Sequence, residues 1–192
     1  DDWQLGTPAG EGGDPSFAYS GSNVWGNDLG EDNYNGEYQN DKHNRLTSPE
    51  YDLYHYQGVF LEYHRWLHVE DGYYDHARIL ANGENTWDNY DSKNEDGGFH
   101  HKDLEWAPHA VALNVPWGEP TVQLAWEIES DGGLSLGGWN IDDVSIWGIR
   151  SSCDDADGDG VLPPVCGGND CHDGDPTIYP GAGENCSDGI DN

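Results

Sequence analysis

The residues of this chain best suited to chemistry lie near its C-terminus, in Asp155-Ala-Asp157-Gly-Asp159-Gly160-Val161. The order is D-x-D-x-D-G. Carboxylates at positions 1, 3 and 5 of such a loop converge on one point, glycine at position 6 permits the sharp turn, and the carbonyl at position 7 faces inward. Asp155, Asp157 and Asp159 are therefore candidate side-chain ligands for Ca2+, and Val161 a candidate carbonyl ligand. Position 12 is Cys166, which cannot close a calcium shell, so Asp170 or Asp173 is the expected source of the missing carboxylate. A second loop follows from spacing alone. Counted from Asp173, position 3 is Asp175, position 5 Thr177, position 7 Tyr179 and position 12 Glu184, with Asp188 and Asp191 free to join. Ile178 stands where glycine is usual, and Pro176 and Pro180 argue against flanking helices. The expectation is an irregular calcium coil. From Cys153 to Asn192 the chain carries ten carboxylates and no Lys or Arg. Without bound cations such a cluster repels itself.

All four cysteines, Cys153, Cys166, Cys171 and Cys186, fall in the same segment. The segment has too few apolar residues for a core of its own, so disulfides and an oxidising compartment are expected. Zinc is the competing reading; no C-x-x-C pair is present and carboxylates far outnumber thiols. Four cysteines allow three connectivities. The local pairing Cys153–Cys166 and Cys171–Cys186 is preferred.

Across all 192 residues the formal net charge is −31, which speaks against nucleic acid or an anionic membrane as partner. No apolar run approaches membrane-spanning length, so no membrane insertion is expected. Methionine is absent, and the chain stops within an acidic pattern at Ile190-Asp191-Asn192. A mature piece of a secreted or cell-surface precursor is the expectation, with extracellular localisation.

These residues need a scaffold, and residues 1–150 carry the patterns for one. Gly is frequent (27), as are Trp (9) and Tyr (11), a composition typical of turn-rich all-β proteins. Val59–Val69 alternates as a strand with Phe60 out of phase. His76–Ala81 is a strand ending at the turn dipeptide Asn82-Gly83. Thr121–Glu129 places Val122, Leu124, Trp126 and Ile128 on one face and Gln123, Ala125, Glu127 and Glu129 on the other. Trp139–Trp147 is a final strand. The first 45 residues read as loop-rich. The expected architecture is an all-β jelly roll or β-sandwich over residues 1–150, followed by an acidic calcium- and disulfide-stapled segment over 151–192.

Two resemblances agree with this division. Trp3-Gln-Leu-Gly-Thr-Pro8, Val24-Trp-Gly-Asn-Asp-Leu29, Leu46-Thr-Ser-Pro49, Glu70-Asp-Gly-Tyr-Tyr-Asp75 and Gly138-Trp-Asn-Ile-Asp-Asp-Val144 occur in order. Together they resemble the MAM-like jelly roll that accompanies immune-inhibitor-A-type secreted metallopeptidases, which implies a non-catalytic module. Asp157-Gly-Asp-Gly160, Asp170-Cys-His-Asp173, Asp175-Pro176, Pro180-Gly-Ala182, Glu184, Cys186 and Asp188–Asn192 are similar to the metal-binding repeat named after MopE. That repeat usually has a further cysteine after Ile-Asp-Asn, beyond Asn192. The name evokes copper, but copper prefers imidazole or sulfur and this segment has only His172; calcium is the reading.

Further constellations are weaker. Ile141 and Val144 break period two around Asp142-Asp143, and a bulge there would turn a carboxylate to the sandwich edge. Related jelly rolls often bind a structural calcium with such an Asp, so Asp142 and Asp143 are candidates; Glu70, Asp71 and Asp75 are others. The competing reading is a surface carboxylate that accepts backbone hydrogen bonds. His64 and His68, four apart in a strand, lie about 13 Å from each other, too far for one ion. H-E-x-x-H is absent, no nucleophile–base pair stands out, and no enzyme is expected. Trp126 and Trp139 belong to the core, while Trp25, Trp87, Trp106, Trp117 and Trp147 are free for a sugar platform. The expected function is a calcium-binding structural or adhesive module whose partners are other subunits or domains of a surface assembly or fibre. A carbohydrate-binding module, with glycans as partners, and an accessory domain of a secreted metallopeptidase are the alternatives.

Overall fold

The computed structural model describes residues 2–30, 35–53, 56–91, 99–116, 119–150 and 155–183. Two compact units are present, Asp1–Tyr54 with Gly58–Gly148 and His55–Gln57 with Ile149–Asn192. The boundary, expected after residue 150, falls two residues earlier, after Gly148.

The described strands are β1 (Trp3–Gly6), β2 (Val24–Asn27), β3 (His43–Asp52), β4 (Tyr56–Val69), β5 (His76–Ala81), β6 (Glu84–Asp88), β7 (His101–Lys102), β8 (Ala107–Ala112), β9 (Thr121–Glu129) and β10 (Gly138–Arg150). They make two antiparallel sheets. One runs β1-β2-β10-β4-β7, with β8 also on β4; the other runs β3-β9-β5-β6. A single apolar cluster takes in Leu61, Leu67 and Val69 of β4, Ile79 of β5, Val122, Leu124, Trp126 and Ile128 of β9, and Trp139 and Ile141 of β10. The core therefore lies between the sheets, and the chain is an all-β sandwich as expected. Each of these side chains contributes about 1.5–3 kcal/mol by leaving water.

Period-two alternation explains why β4 and β9 were legible. On β4 the odd positions Val59, Leu61, Tyr63, Leu67 and Val69 are buried while Phe60 is 38% exposed. The Asn82-Gly83 turn joins β5 to β6 with φ of 51° and 85°, the paired positive values of a two-residue hairpin. Departures are equally physical. Glu127, expected on the solvent face of β9, is buried, and the β3 residues His43 (Nε2, 3.2 Å) and Arg45 (Nε, 3.3 Å) cover its carboxylate. β1, β2 and part of β3 lie in the stretch read as loop. β1 and β2 have four residues each, too few for a pattern. β3 lacks apolar alternation, and its register shifts between Thr47 and Glu50, around Ser48-Pro49.

At the edge of the core a polar cluster occupies inward positions. Arg65 of β4 donates from Nε to Asp103 Oδ2 (2.9 Å), and its guanidinium lies 5.5 Å from the Trp87 ring. Asp103 Oδ2 also accepts from Leu67 N–H (2.9 Å). Tyr63 Oη lies 2.8 Å from His109 Nδ1. Burial, reinforced by the Arg65 charge, pushes His109 down to about 3, and burial pushes the Tyr63 phenol up. His109 is thus neutral when folded but protonates near its ordinary value of 6.5 when unfolded. The unfolded chain binds the extra proton between those values, so stability is lost as pH falls from about 6.5 toward 3. Urea unfolding at several pH values across that window checks this: wild type is expected to lose more stability than His109→Gln over the same range.

Candidate functional site

From residue 155 to 183 the only regular element is the 3-10 turn Pro164–Cys166. From 155 to 183 the buried described residues are Cys166 and Asp170. One is disulfide-bonded; the other is a carboxylate that is 1% exposed. No oily interior is available here, so the shape of this segment depends on how its carboxylates are arranged.

That arrangement starts with backbone geometry. Gly158 and Gly160 take φ of 80° and 92°, left-handed values that glycine adopts without a side-chain penalty. The chain then folds back on its own carboxylates. Asp155 Oδ1 accepts from Gly158 N–H (2.7 Å) and Asp159 N–H (3.2 Å), and Asp155 Oδ2 accepts from Gly160 N–H (2.7 Å). Asp157 Oδ1 accepts from Asp159 N–H (3.2 Å), and Asp159 Oδ1 from Val161 N–H (2.7 Å). Ligand atoms of Asp155, Asp157 and Asp159 all lie within 4.8 Å of one another. Backbone donors, Gly160 first, hold Asp155 below the usual carboxylate value. Asp157 is held above it by desolvation, with the negative charges of Asp159 and Asp170 adding to the effect.

Asp170 reaches this loop through a close backbone approach. Its N–H donates to Leu162 O (3.0 Å). A Cβ on Gly168 would lie 1.9 Å from the same Leu162 oxygen, so only glycine lets the two strands of chain meet. Asp170 Oδ1 then accepts from His172 N–H (2.8 Å). Asp157, Asp159 and Asp170 therefore each use Oδ1 to hold the backbone. Their Oδ2 atoms are buried and without a hydrogen-bond partner. Three desolvated anionic oxygens with no donor are costly unless a cation meets them. All are hard oxygens, the donor set that Ca2+ takes.

Of the two residues expected to replace Cys166, Asp170 is the one with a free inward oxygen. Asp173 instead accepts from Ala156 N–H (3.2 Å) and so braces the loop from outside. The described members of the second expected loop are held by local hydrogen bonds. Asp175 Oδ1 accepts from both Thr177 N–H (3.1 Å) and Thr177 Oγ1 (2.7 Å), and the Tyr179 carbonyl accepts from Ala182 N–H (2.9 Å). Glu184, Asp188 and Asp191 lie outside the described residues, as do Cys153 and Cys186. Cys171 is a free, exposed thiol, which overturns the expected Cys171–Cys186 pairing. Its buried neighbour Asp170 takes the inward direction and leaves Cys171 facing solvent.

In the sandwich, Asp143 has φ of 49°. Before it Trp139 and Ile141 face the core; after it Ile146 packs there. The parity change is that of one inserted residue, the expected bulge. Its carboxylates are occupied, however. Ser20 donates from its N–H to Asp142 Oδ2 (2.9 Å) and from its hydroxyl to Asp143 Oδ1 (2.6 Å). Asp142 and Asp143 tie a loop down rather than join a described ligand cluster.

Glu70, Asp71 and Asp75 do come together with partners. Glu70, Asp75 and Asp131 offer oxygens within 4.8 Å of one another, and Glu70, Asp71 and His100 form a similar group. Asp75 is fully buried, accepting from Tyr38 Oη and from Asp131 N–H. Desolvation raises both Glu70 and Asp75. Asp131 was not foreseen; its signal is a lone carboxylate in the Ser130-Asp-Gly-Gly turn. A further buried group went unread: Asp14, which burial pushes up to about 9, hydrogen-bonded to Asn140. Trp126 and Trp139 are core residues as expected, and Trp25 (40%) and Trp147 (57%) are exposed. Trp87 packs on the core and Trp106 on a satellite cluster of Ala18, Val24 and Leu29. Trp117 lies outside the described residues.

No helix among the described residues is long and apolar enough to cross a membrane. No family model matches the chain. The chain is 27% identical over 145 residues to bacillopeptidase F of Bacillus subtilis (strain 168). The match takes in 75% of this chain but 9% of that relative, so the chain spans under a tenth of its length. The similarity therefore concerns a small region of a protein named as a peptidase.

Proposed function

We propose that this chain is a non-enzymatic, calcium-binding module of a larger extracellular protein. The C-terminal unit binds Ca2+ through Asp155, Asp157, Asp159 and Asp170, with the Val161 carbonyl completing part of the shell. The supporting observation is the set of three buried, unpartnered Oδ2 atoms in a segment with no cationic side chain. The ion substitutes for a core: it neutralises the loop and fixes the approach of Asp170. A disulfide at Cys166 and the excess of carboxylates suit an oxidising, calcium-rich medium outside the cell. The MAM-like and MopE-type resemblances fit the same reading.

The partner class follows from the same chemistry. A module this acidic meets other subunits or domains of a surface assembly most readily through bridging cations. The similarity to bacillopeptidase F supports a second reading, an accessory region of a secreted peptidase. In that case the module attaches to, or positions, a catalytic domain elsewhere in the precursor. Glycan binding is carried by no observation as specific as these.

Two experiments test the calcium site. In limited proteolysis of the full chain, cleavage between residues 155 and 183 is expected to be slow with calcium and fast with EDTA. Asp170→Ala is expected to weaken binding in calorimetric titration about tenfold or more. Equal cleavage with and without EDTA, or an unchanged affinity in Asp170→Ala, would sink the reading. Gly168→Ala is a second probe, because it alters no ligand. Its Cβ must displace the Leu162 carbonyl, so it is expected to lower calcium affinity although every carboxylate is retained. A Gly168→Ala chain with native affinity would show that the Asp170 approach is irrelevant to the ion.

A further inference from the structure

The glycine-rich turn ahead of β2 ends in Asp14-Pro15, one of two Asp–Pro pairs in the chain; the other is Asp175-Pro176. An aspartate can close a five-membered ring on its own carbonyl carbon. The proline nitrogen, part of a tertiary amide without an N–H, is then the leaving group. Because that nitrogen must take up a proton as it leaves, the reactive form is the protonated side chain. The surroundings of the carboxyl group therefore decide whether such a bond is inert, and they differ at the two sites.

Asp14 is 6% exposed and lies against β10, where the fully buried Asn140 donates from Nδ2 to Asp14 Oδ1 (2.6 Å). An N–H facing Oδ1 makes that oxygen the acceptor and leaves the proton to Oδ2, which has no hydrogen-bond partner. Burial pushes Asp14 up to about 9, and the negative charge of Asp28, itself buried, adds to the effect. The turn is also held on two sides. Gly10, Gly12 and Gly13 take positive φ; a Cβ on Gly12 would overlap the Gly36 carbonyl, and one on Gly13 would overlap the buried His68 ring. Holding the reacting groups in one geometry is what speeds intramolecular reactions. Pro15 is buried, but its neighbours Gly13 and Ser16 are exposed, which gives water a route to the bond. At Asp175 the arrangement is reversed. Its Oδ1 accepts from Thr177 Oγ1 (2.7 Å) and Thr177 N–H (3.1 Å), and these donors hold the carboxyl below its usual value. Ionised at neutral pH, it has no proton to give to Pro176.

We infer that the Asp14–Pro15 bond is a self-cleavage site of this chain, with the Asp14 carboxyl as nucleophile and proton donor and Asn140 as its positioning residue. Asp14 Oδ2 bonds to the Asp14 carbonyl carbon, its proton passes to the Pro15 nitrogen, and the C–N bond breaks. Water then opens the cyclic anhydride. Asp14 is left with two carboxyl groups and Pro15 with a secondary amine; one water is consumed and nothing is oxidised or reduced. The event happens once per chain and is independent of the calcium loop. The two pieces stay together. On one side β1 remains paired with β2, and Ala9 N–H donates to Leu29 O (2.9 Å). On the other, Trp106 Nε1 donates to Phe17 O (3.0 Å), and Ser20 holds Asp142 and Asp143. The cut thus separates the Gly10–Asp14 turn from the segment that follows it without dismantling the sandwich.

The test follows the mass of the purified full chain during incubation at neutral pH with protease inhibitors. Fragments 1–14 and 15–192 are expected to accumulate over days, with Asp175–Pro176 cut about tenfold more slowly or not at all. In urea the Asp14–Pro15 bond is expected to become as stable as Asp175–Pro176. Cutting should persist through neutral pH and fall above about 9, where Asp14 loses its proton. Hydroxylamine present during the incubation should leave a hydroxamate on Asp14, the mark of the ring intermediate. Asp14→Asn is expected to slow cutting about tenfold or more. Pro15→Ala, which keeps the carboxyl group and removes the tertiary amide, should do the same, with circular dichroism reporting the fold of each. A folded wild-type chain that stays whole, equal cutting at both Asp–Pro bonds, unchanged cutting in either variant, or a cut without hydroxamate overturns the inference.

Discussion

An anionic oxygen buried without a donor is the constraint around which this molecule is organised. With a net charge of −31, the chain has far more carboxylates than cations to meet them. Most stay in water, where repulsion is screened over about 10 Å. A few are turned inward by backbone turns that use up one oxygen and leave the other facing the interior. Asp157, Asp159 and Asp170 share that pattern, whereas Asp14, in the other unit, gives one oxygen to the Asn140 side chain and keeps the other unpartnered. Where a cation side chain is at hand, the chain uses it, as Arg65 does for Asp103 and Arg45 for Glu127. Where none is, one carboxylate oxygen is left open to a proton or a cation from solution.

The two units therefore hold their shape by different means. The sandwich buries a cluster of aliphatic and aromatic side chains between two sheets, and its polar edge is self-satisfied through Arg65, Asp103, Tyr63 and His109. The C-terminal unit buries a disulfide-bonded cysteine and a carboxylate among its described residues. Backbone entropy costs about 1–2 kcal/mol per ordered residue, and apolar burial there is too small to offset it. On the proposed reading, covalent and ionic links take that role. This difference explains why glycine matters in both units for different reasons. At Gly83 it relaxes a hairpin turn, whereas at Gly168 it removes the atom that would keep Asp170 from the loop.

Legibility in the sequence followed the range of the interaction. β4, β9 and the Asn82-Gly83 hairpin depend on neighbours two or three positions apart, so their pattern is written locally. The Asp155–Val161 loop is local too, and spacing alone identified its three carboxylates. Asp170 was one of two options, because the choice rests on the Gly168–Leu162 approach, which no spacing rule encodes. β1 and β2 were hidden by their length, and β3 by its Ser48-Pro49 irregularity. Asp143 was read as a bulge, but its partner Ser20 lies over a hundred residues away. Asp14 and Asn140 were missed for the same reason: 126 positions separate them. The Cys171–Cys186 pairing failed because proximity in sequence says nothing about which way a thiol faces.

Distance along the chain also bears on what a bound ion can accomplish. A loop of seven residues that binds calcium by itself orders only that loop. On the proposed reading Asp170 changes the outcome, because a ligand nine positions beyond Val161 would make the ion close a longer circuit that includes the 3-10 turn and Cys166. Closing a longer loop removes more freedom from the open chain, though the gain grows only with the logarithm of its length. The Asp14–Asn140 contact is the extreme case, linking the N-terminal loop to the last strand of the sandwich. The hydrogen bond there acts as a long-range staple, placed where the sheet already fixes one end and where only the loop remains to be ordered.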